Sequence, residues 1–152
     1  MTVHEWAHAY AAYRLGDPTA KNLGRMTLNP LAHFDVFGFL MLLLIGFGWA
    51  KPVPVNPRNF KNFKRDDIIV SLAGIATNFV TAFLFSFVYA AGFLKWGLGT
   101  NTAFTSIFGS IITINLALAL FNLIPIYPLD GSHVLESLLV RKIPRFFMFM
   151  RK

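Results

Sequence analysis

Residues 68–94, IIVSLAGIATNFVTAFLFSFVYAAGFL, run for 27 positions without a charged side chain. A helix needs about 20 apolar residues to cross the hydrocarbon core of a bilayer, so this stretch predicts a membrane span. Lys95 interrupts it, and residues 96–129 then form a second uncharged run of 34 positions. The whole chain agrees with this reading: of 152 residues 55% are hydrophobic, 17 are Phe and only 14% are charged, where a soluble domain carries nearer a quarter. The net charge of +7 could indicate nucleic acid. However, the basic residues cluster between apolar runs, which fits the cytoplasmic ends of spans instead. The length suits one domain, 1–152, and the expected class is an all-α, polytopic membrane helical bundle.

On the N-terminal side of this stretch lies KPVPVNPRNFKNFKRDD, residues 51–67, with Pro52, Pro54 and Pro57. Each proline fixes its own φ and biases its predecessor to extended backbone, so an extended segment between spans is expected. Before it, residues 36–50 (VFGFLMLLLIGFGWA) are apolar but number only 15, short for a span. They could be lengthened by residues 31–35, or form a tilted or re-entrant helix. Residues 19–35 suggest turns and a short strand. Residues 2–15 (TVHEWAHAYAAYRL) are rich in alanine and read as helix, stopped by Gly16-Asp17-Pro18.

That first helix carries His4-Glu5-Trp6-Ala7-His8, an HExxH motif. Histidines four apart lie about 40° from each other around a helix and about 6 Å along it, so both imidazoles can reach one ion. Glu5 stands beside them, placed to act on water as a general base without ligating the metal. A five-residue motif with two wildcards also arises by chance. An apolar helix of a membrane protein favours the metal reading, because ionisable groups there are costly and usually functional. With no cysteine in the chain, the ligands are His and carboxylate. Zn2+ is the preferred ion, and a catalytic zinc requires a third protein ligand and an open position.

The third ligand is sought in Asn122-Leu123-Ile124-Pro125-Ile126-Tyr127-Pro128-Leu129-Asp130-Gly131. Asp130 is the first charge after the second apolar run, where two prolines break the backbone. Such a break at membrane depth is tolerated where it lines protein or a wet cavity. The alternative is that Asp130 caps the following helical run, HVLESLL.

HExxH in an apolar helix, followed after further spans by NxxPxxxLDG, resembles the site-2 protease family of intramembrane zinc metallopeptidases. The segment GWAKPVPVNPRNFKN resembles its small bacterial and archaeal members. The resemblance implies metal ligands His4, His8 and Asp130, a general base Glu5, and Asn122 as a catalytic residue that positions substrate or stabilises the oxyanion. Gly74-Ile75-Ala76-Thr77-Asn78 is similar to a family motif that usually reads Gly-Pro-x-x-Asn, with Ile75 in place of proline. Asn78 is then either a polar contact near the site or a helix–helix hydrogen-bonding residue. Family members have chain upstream of HExxH, so an N-terminally truncated domain is expected.

The implied function is an intramembrane zinc metalloendopeptidase that cuts membrane-protein segments, with the lipid bilayer and transmembrane proteins or peptides as partners and no nucleic acid. The competing readings are a catalytically inactive, zinc-binding pseudoprotease fragment that binds protein partners, and a metal transporter. The transporter is disfavoured because the two longest runs lack acidic and His residues. In the expected topology, helix 2–15 descends, 31–50 ascends, 68–94 descends and 103–124 ascends. This places His4, Asp130, the 51–67 loop and the basic tail on one side, with Arg14, Lys21, Arg25 and Lys95 on the other. The positive-inside rule then turns the active site towards the cytoplasm of a multi-pass cell-membrane protein. His33 is expected on the far side, His133 near Asp130, and Phe146, Phe147, Met148 and Phe149 as an interfacial anchor. Val53 and Val55 lie in the segment expected to pair with an extended substrate by strand addition.

Overall fold

The computed structural model describes residues 1–46 and 48–139; the basic tail and its Phe-rich anchor lie outside the described residues. Among the described residues the chain is helical, with no strand. The order is α1 (Thr2–Arg14), α2 (Thr19–Asn22), α3 (Val36–Ile45), α4 (Phe63–Lys95), α5 (Thr102–Asn122) and α6 (Asp130–Leu139), joined by turns and three short 3-10 segments.

The two uncharged runs form α4 and α5, both long and apolar enough to cross a membrane. Their starts are fixed by side-chain caps that satisfy orphan N–H groups. Asn62 accepts from Arg65 N at 3.2 Å, and Asn101 accepts from Phe104 N at 2.9 Å. The helices pack antiparallel through rings: Phe85 on Phe108 and Tyr89 on Phe104, each with centroids 5.8 Å apart. Much of their apolar surface stays uncovered, as at Phe83 and Phe87, which are 63% and 61% exposed. A soluble domain would bury such a band.

Helix α1 lies antiparallel on the first half of α4. His8 meets Val70, His4 meets Asn78, and Ala12 shares a small core with Phe60 and Val70. The run of alanines in α1 (Ala7, Ala9, Ala12) is buried and lets the backbones approach. Since α4 starts beside the C-terminal end of α1, the expected topology needs correcting. Arg14 and Lys21 share the end of the molecule occupied by Lys61, Lys64 and Arg65, and only Lys95 marks the far end of α4.

Four local expectations also change. Helix α3 has ten residues, about 15 Å of rise, half of a bilayer core. Asp35 caps its start through Gly38 N, and Gly46 at φ 74° ends it, which isolates it from residues 31–33. Residues 19–22 form a helical turn in place of a strand. The 51–67 segment is extended only over its first half. A 3-10 turn follows at Pro57–Asn59, and α4 takes in residues 63–67 because Asn62 caps it there. His33 lies beside Met1 and Thr2, at the His4 end of α1 and not at the far end.

The extended half, residues 51–56, runs along α1 from its His4 end towards Asp17. Asp17 is fully buried and accepts from Asn56 N and Asn59 Nδ2, both at 2.7 Å, and from Thr19. Burial alone pushes its carboxyl up, but these bonds to the ionised form outweigh that and hold its pKa below the usual value. Between α5 and α6, residues 123–129 turn with Pro125 and Pro128 among them. The start of α6 then sits so close that a Cβ on Gly131 would lie 2.6 Å from the Leu123 carbonyl carbon. Only glycine fits there without moving backbone.

Candidate metal centre

Helix α1 presents His4 and His8 on the face packed against α4, and both are buried. Across from them, the first residue of α6 aims its carboxylate at the two rings. Nε2 of His4 and Nε2 of His8 are 3.0 Å apart, and each lies 3.3 Å from Oδ2 of Asp130. Among the described residues these three form the group of His and acidic side chains able to share one ion. Asp130 therefore faces the histidines, as the ligand reading of the sequence requires.

The spacing can be tested against coordination chemistry. Ligand atoms about 2.0–2.1 Å from a tetrahedral ion lie about 3.3–3.4 Å from one another. The two separations to Asp130, 3.3 Å each, match that edge length, and the His4–His8 separation of 3.0 Å is somewhat shorter. Oδ2 of Asp130 is also buried without a hydrogen bond of proper geometry, although two ring nitrogens stand beside it. A buried carboxylate oxygen without such a bond is costly, and a cation between the three atoms removes the cost. The donor set fits zinc.

The surroundings orient the ligands. Nδ1 of His8 donates to the Val70 carbonyl at 2.8 Å, which leaves the Nε2 lone pair directed at the centre. The Asn78 side-chain amide lies 3.2 Å from Nδ1 of His4. The amide nitrogen, Nδ2, faces that ring nitrogen; turning the amide by half a revolution puts its oxygen there, where it accepts from Nδ1–H and frees Nε2 in the same way. Asn78 is thus both a helix–helix contact and a neighbour of the site. Glu5 stands in the same cavity and accepts from Val53 N at 2.9 Å.

Gly74 makes this approach possible. A Cβ built on it would lie 2.5 Å from Nε2 of His8 and 2.6 Å from Cε1 of His4. A side chain there would push both rings off the ion's position. The sequence marked Gly74 by resemblance only, and its steric role was not legible, because nothing local says which face of α4 meets α1. The Val70 carbonyl and Val53 N–H were invisible for a simpler reason: backbone groups leave no residue-type signal.

A cavity of about 960 Å3 opens on the centre. Its inner wall includes His4, Glu5, His8, Asn78, Asn122 and Asp130, and its outer end includes Arg58, Asp67, His133 and Glu136. Asn122 lines it with its amide donating to Leu118 O at 2.9 Å. His133 also lines it but is not part of the ligand cluster. His33 is outside it, bonded through Nε2 to the Thr27 carbonyl at 2.8 Å.

Comparison with known proteins finds relatives described as zinc metalloproteases. Residues 97–148 match Peptidase family M50. A Bacillus subtilis (strain 168) protein described as "Putative zinc metalloprotease YwhC" is 45% identical over 142 residues, covering 91% of this chain and 64% of that protein. The chain thus resembles peptidase family M50. A second relative, "Putative zinc metalloprotease Rip2" of Mycolicibacterium smegmatis (strain ATCC 700084 / mc(2)155), is 31% identical over 149 residues, covering 90% of this chain and 52% of that protein. The chain spans between half and two thirds of the length of these relatives. No solved structure matches.

The steric argument for Gly74 yields a direct test. Gly74→Val is expected to weaken zinc binding at least about 100-fold, as changes around metal ligands do, while helix content by circular dichroism stays at the parent value. Unchanged zinc affinity in a folded Gly74→Val protein would show that α4 does not set the ring positions.

Proposed function

We propose that this chain is the catalytic domain of an intramembrane zinc metalloendopeptidase, with His4, His8 and Asp130 as ligands and Glu5 as general base. The observation that carries the reading is the convergence of the three ligand atoms, with Glu5 in the same cavity. Zinc held there supplies Lewis acidity and brings the pKa of its water to roughly 7. Glu5 takes the proton from the attacking water and delivers it to the leaving amine nitrogen, and its bond from Val53 N–H fixes the carboxylate for both transfers. One N–H of Asn122 is committed to Leu118 O, and the second is available to hold a substrate carbonyl.

The depth of the site favours a substrate within the bilayer. Asp67 is the last charge of α4 before Gly74, and seven residues of helix separate them by about 10 Å. The centre therefore sits below the charged rim, where α4 and α5 expose apolar surface to lipid. In this reading α5 and α6 are one broken span, interrupted at 123–129 so that Asp130 can enter the site. The polar end of the cavity admits water, and the charges at that end turn it to the cytoplasm by the positive-inside rule.

A helical peptide bond is shielded by its own hydrogen bonds, so the substrate must unwind. Val53 and Val55 line the cavity from extended backbone and offer a strand edge to the unwound segment. Val53 N–H is engaged by Glu5, which makes Val55 the cleaner position to test.

Two substitutions separate chemistry from substrate holding. Glu5→Gln is expected to keep one zinc per chain and to lose at least about 1,000-fold in cleavage of a transmembrane peptide. Residual cleavage near the parent rate would remove Glu5 from the mechanism. Val55→Pro is expected to raise KM with zinc content unchanged; a parental KM would argue against strand pairing.

A further inference from the structure

We infer that Asp17 and Arg25 are positioning residues that stretch residues 51–56 as a strap over the metal centre and thereby hold Glu5 in place. Neither residue reaches the metal centre. Both lie in the connection between α1 and α3, and each fastens one end of the strap. At its first end, Arg25 donates through Nη2 to the carbonyls of Lys51 at 2.9 Å and Pro52 at 3.2 Å, while Lys51 N donates to the His33 carbonyl at 2.9 Å. At its last end, Asp17 accepts from Asn56 N and Asn59 Nδ2. Between the anchors, Val53 N–H is the hydrogen bond from the strap to the proposed machinery, at 2.9 Å from Oε2 of Glu5.

The chemistry of the segment explains why anchors are needed. Pro52, Pro54 and Pro57 have no N–H, so the strap cannot be secured by a regular ladder of its own hydrogen bonds. Its prolines keep it extended, and extended backbone held at two points leaves little slack at the residue between them. Asp17 suits the task because it is fully buried and binds as a charged acceptor, which makes its bonds stronger than neutral ones. The Asp17 carboxylate also serves a local turn through Thr19. That gives an internal control, because the Thr19 hydroxyl belongs to the turn and not to the strap.

The inference rests on the peptidase reading for its effect on rate, but not for its effect on the backbone. The experiment uses the zinc-loaded full-length protein in detergent. Hydrogen–deuterium exchange is followed at Val53 and Asn56 in the parent, Asp17→Asn, Arg25→Gln, Asn59→Ala and Thr19→Val, together with kcat and KM on a transmembrane peptide. The strap predicts that Asp17→Asn and Arg25→Gln each speed exchange at Val53 at least about tenfold. Asp17 does not touch Val53, so its effect is the more telling, whereas Arg25 bonds the Pro52 carbonyl of the same peptide group. Both should lower kcat by a similar factor with a smaller change in KM and one zinc per chain, while Thr19→Val stays at the parent values. Should Asp17→Asn fail to fold, Arg25→Gln and Asn59→Ala carry the same test from the two ends. Parental exchange at Val53 in the folded variants overturns the inference, as does loss of zinc in all of them, which would make the anchors general scaffold. If the parent cleaves nothing, the peptidase reading fails, and exchange at Val53 alone decides the strap.

Discussion

The close packing of α1 on α4 at Gly74 is the constraint on which the rest depends. Two imidazoles must occupy the space where a side chain of α4 would otherwise stand, and only a glycine leaves it open. Once the helices are that near, the Val70 carbonyl and the Asn78 amide fall within reach of the outer ring nitrogens. The rings are then held with Nε2 atoms facing a common point. Asp130 completes the set from a third element, which can approach only because the chain turns at 123–129 and Gly131 tolerates the Leu123 carbonyl beside it. The metal centre is therefore a consequence of helix packing and small residues, with few polar groups spent on it.

Much of this was legible in the sequence, and the reasons are specific. The uncharged runs 68–94 and 96–129 could become only apolar helices, and they form α4 and α5. His4, Glu5 and His8 follow from helical periodicity, and Asp130 from being the first charge after a proline-broken run. The structure brings His4, His8 and Asp130 together, the grouping a shared ion needs. The path between elements was less legible. The 51–67 segment looked like a loop at one end of the molecule, but its first half, 51–56, runs along α1, because its fixing points are Asp17 and Arg25, far away in sequence. The topology went astray because residues 31–50 were counted as a crossing, which placed Arg14 and Lys21 opposite the basic start of α4 when they share its end. Residues 36–50 were legible as apolar, but Asp35 and Gly46 cut them to a ten-residue helix.

The same architecture suggests how a bilayer-embedded site can be both dry enough and wet enough. The centre is surrounded by α1, α4 and α6; His4 and His8 are buried, and Asp130 is half-buried. The adjoining cavity nonetheless reaches the charged end of α4 through Asp67, His133 and Glu136. Under the proposed function, water enters along that polar face while lipid covers the outer faces of α4 and α5. Pro52, Val53, Val55 and Asn56 line the same cavity and Val53 N bonds Glu5, so the proposed general base and the proposed substrate-binding edge share one piece of backbone.

The central claim is that His4 and His8 on α1 and Asp130 on α6 form a single zinc site. Zinc stoichiometry of the detergent-purified protein, measured alongside Asp130→Ala and His8→Ala, tests it most directly. The account predicts one zinc per parent chain and loss of that zinc in each variant, since neither element alone supplies three ligands. Zinc retained at full stoichiometry and affinity in Asp130→Ala would contradict it, and would require a ligand other than the one the fold brings to the histidines.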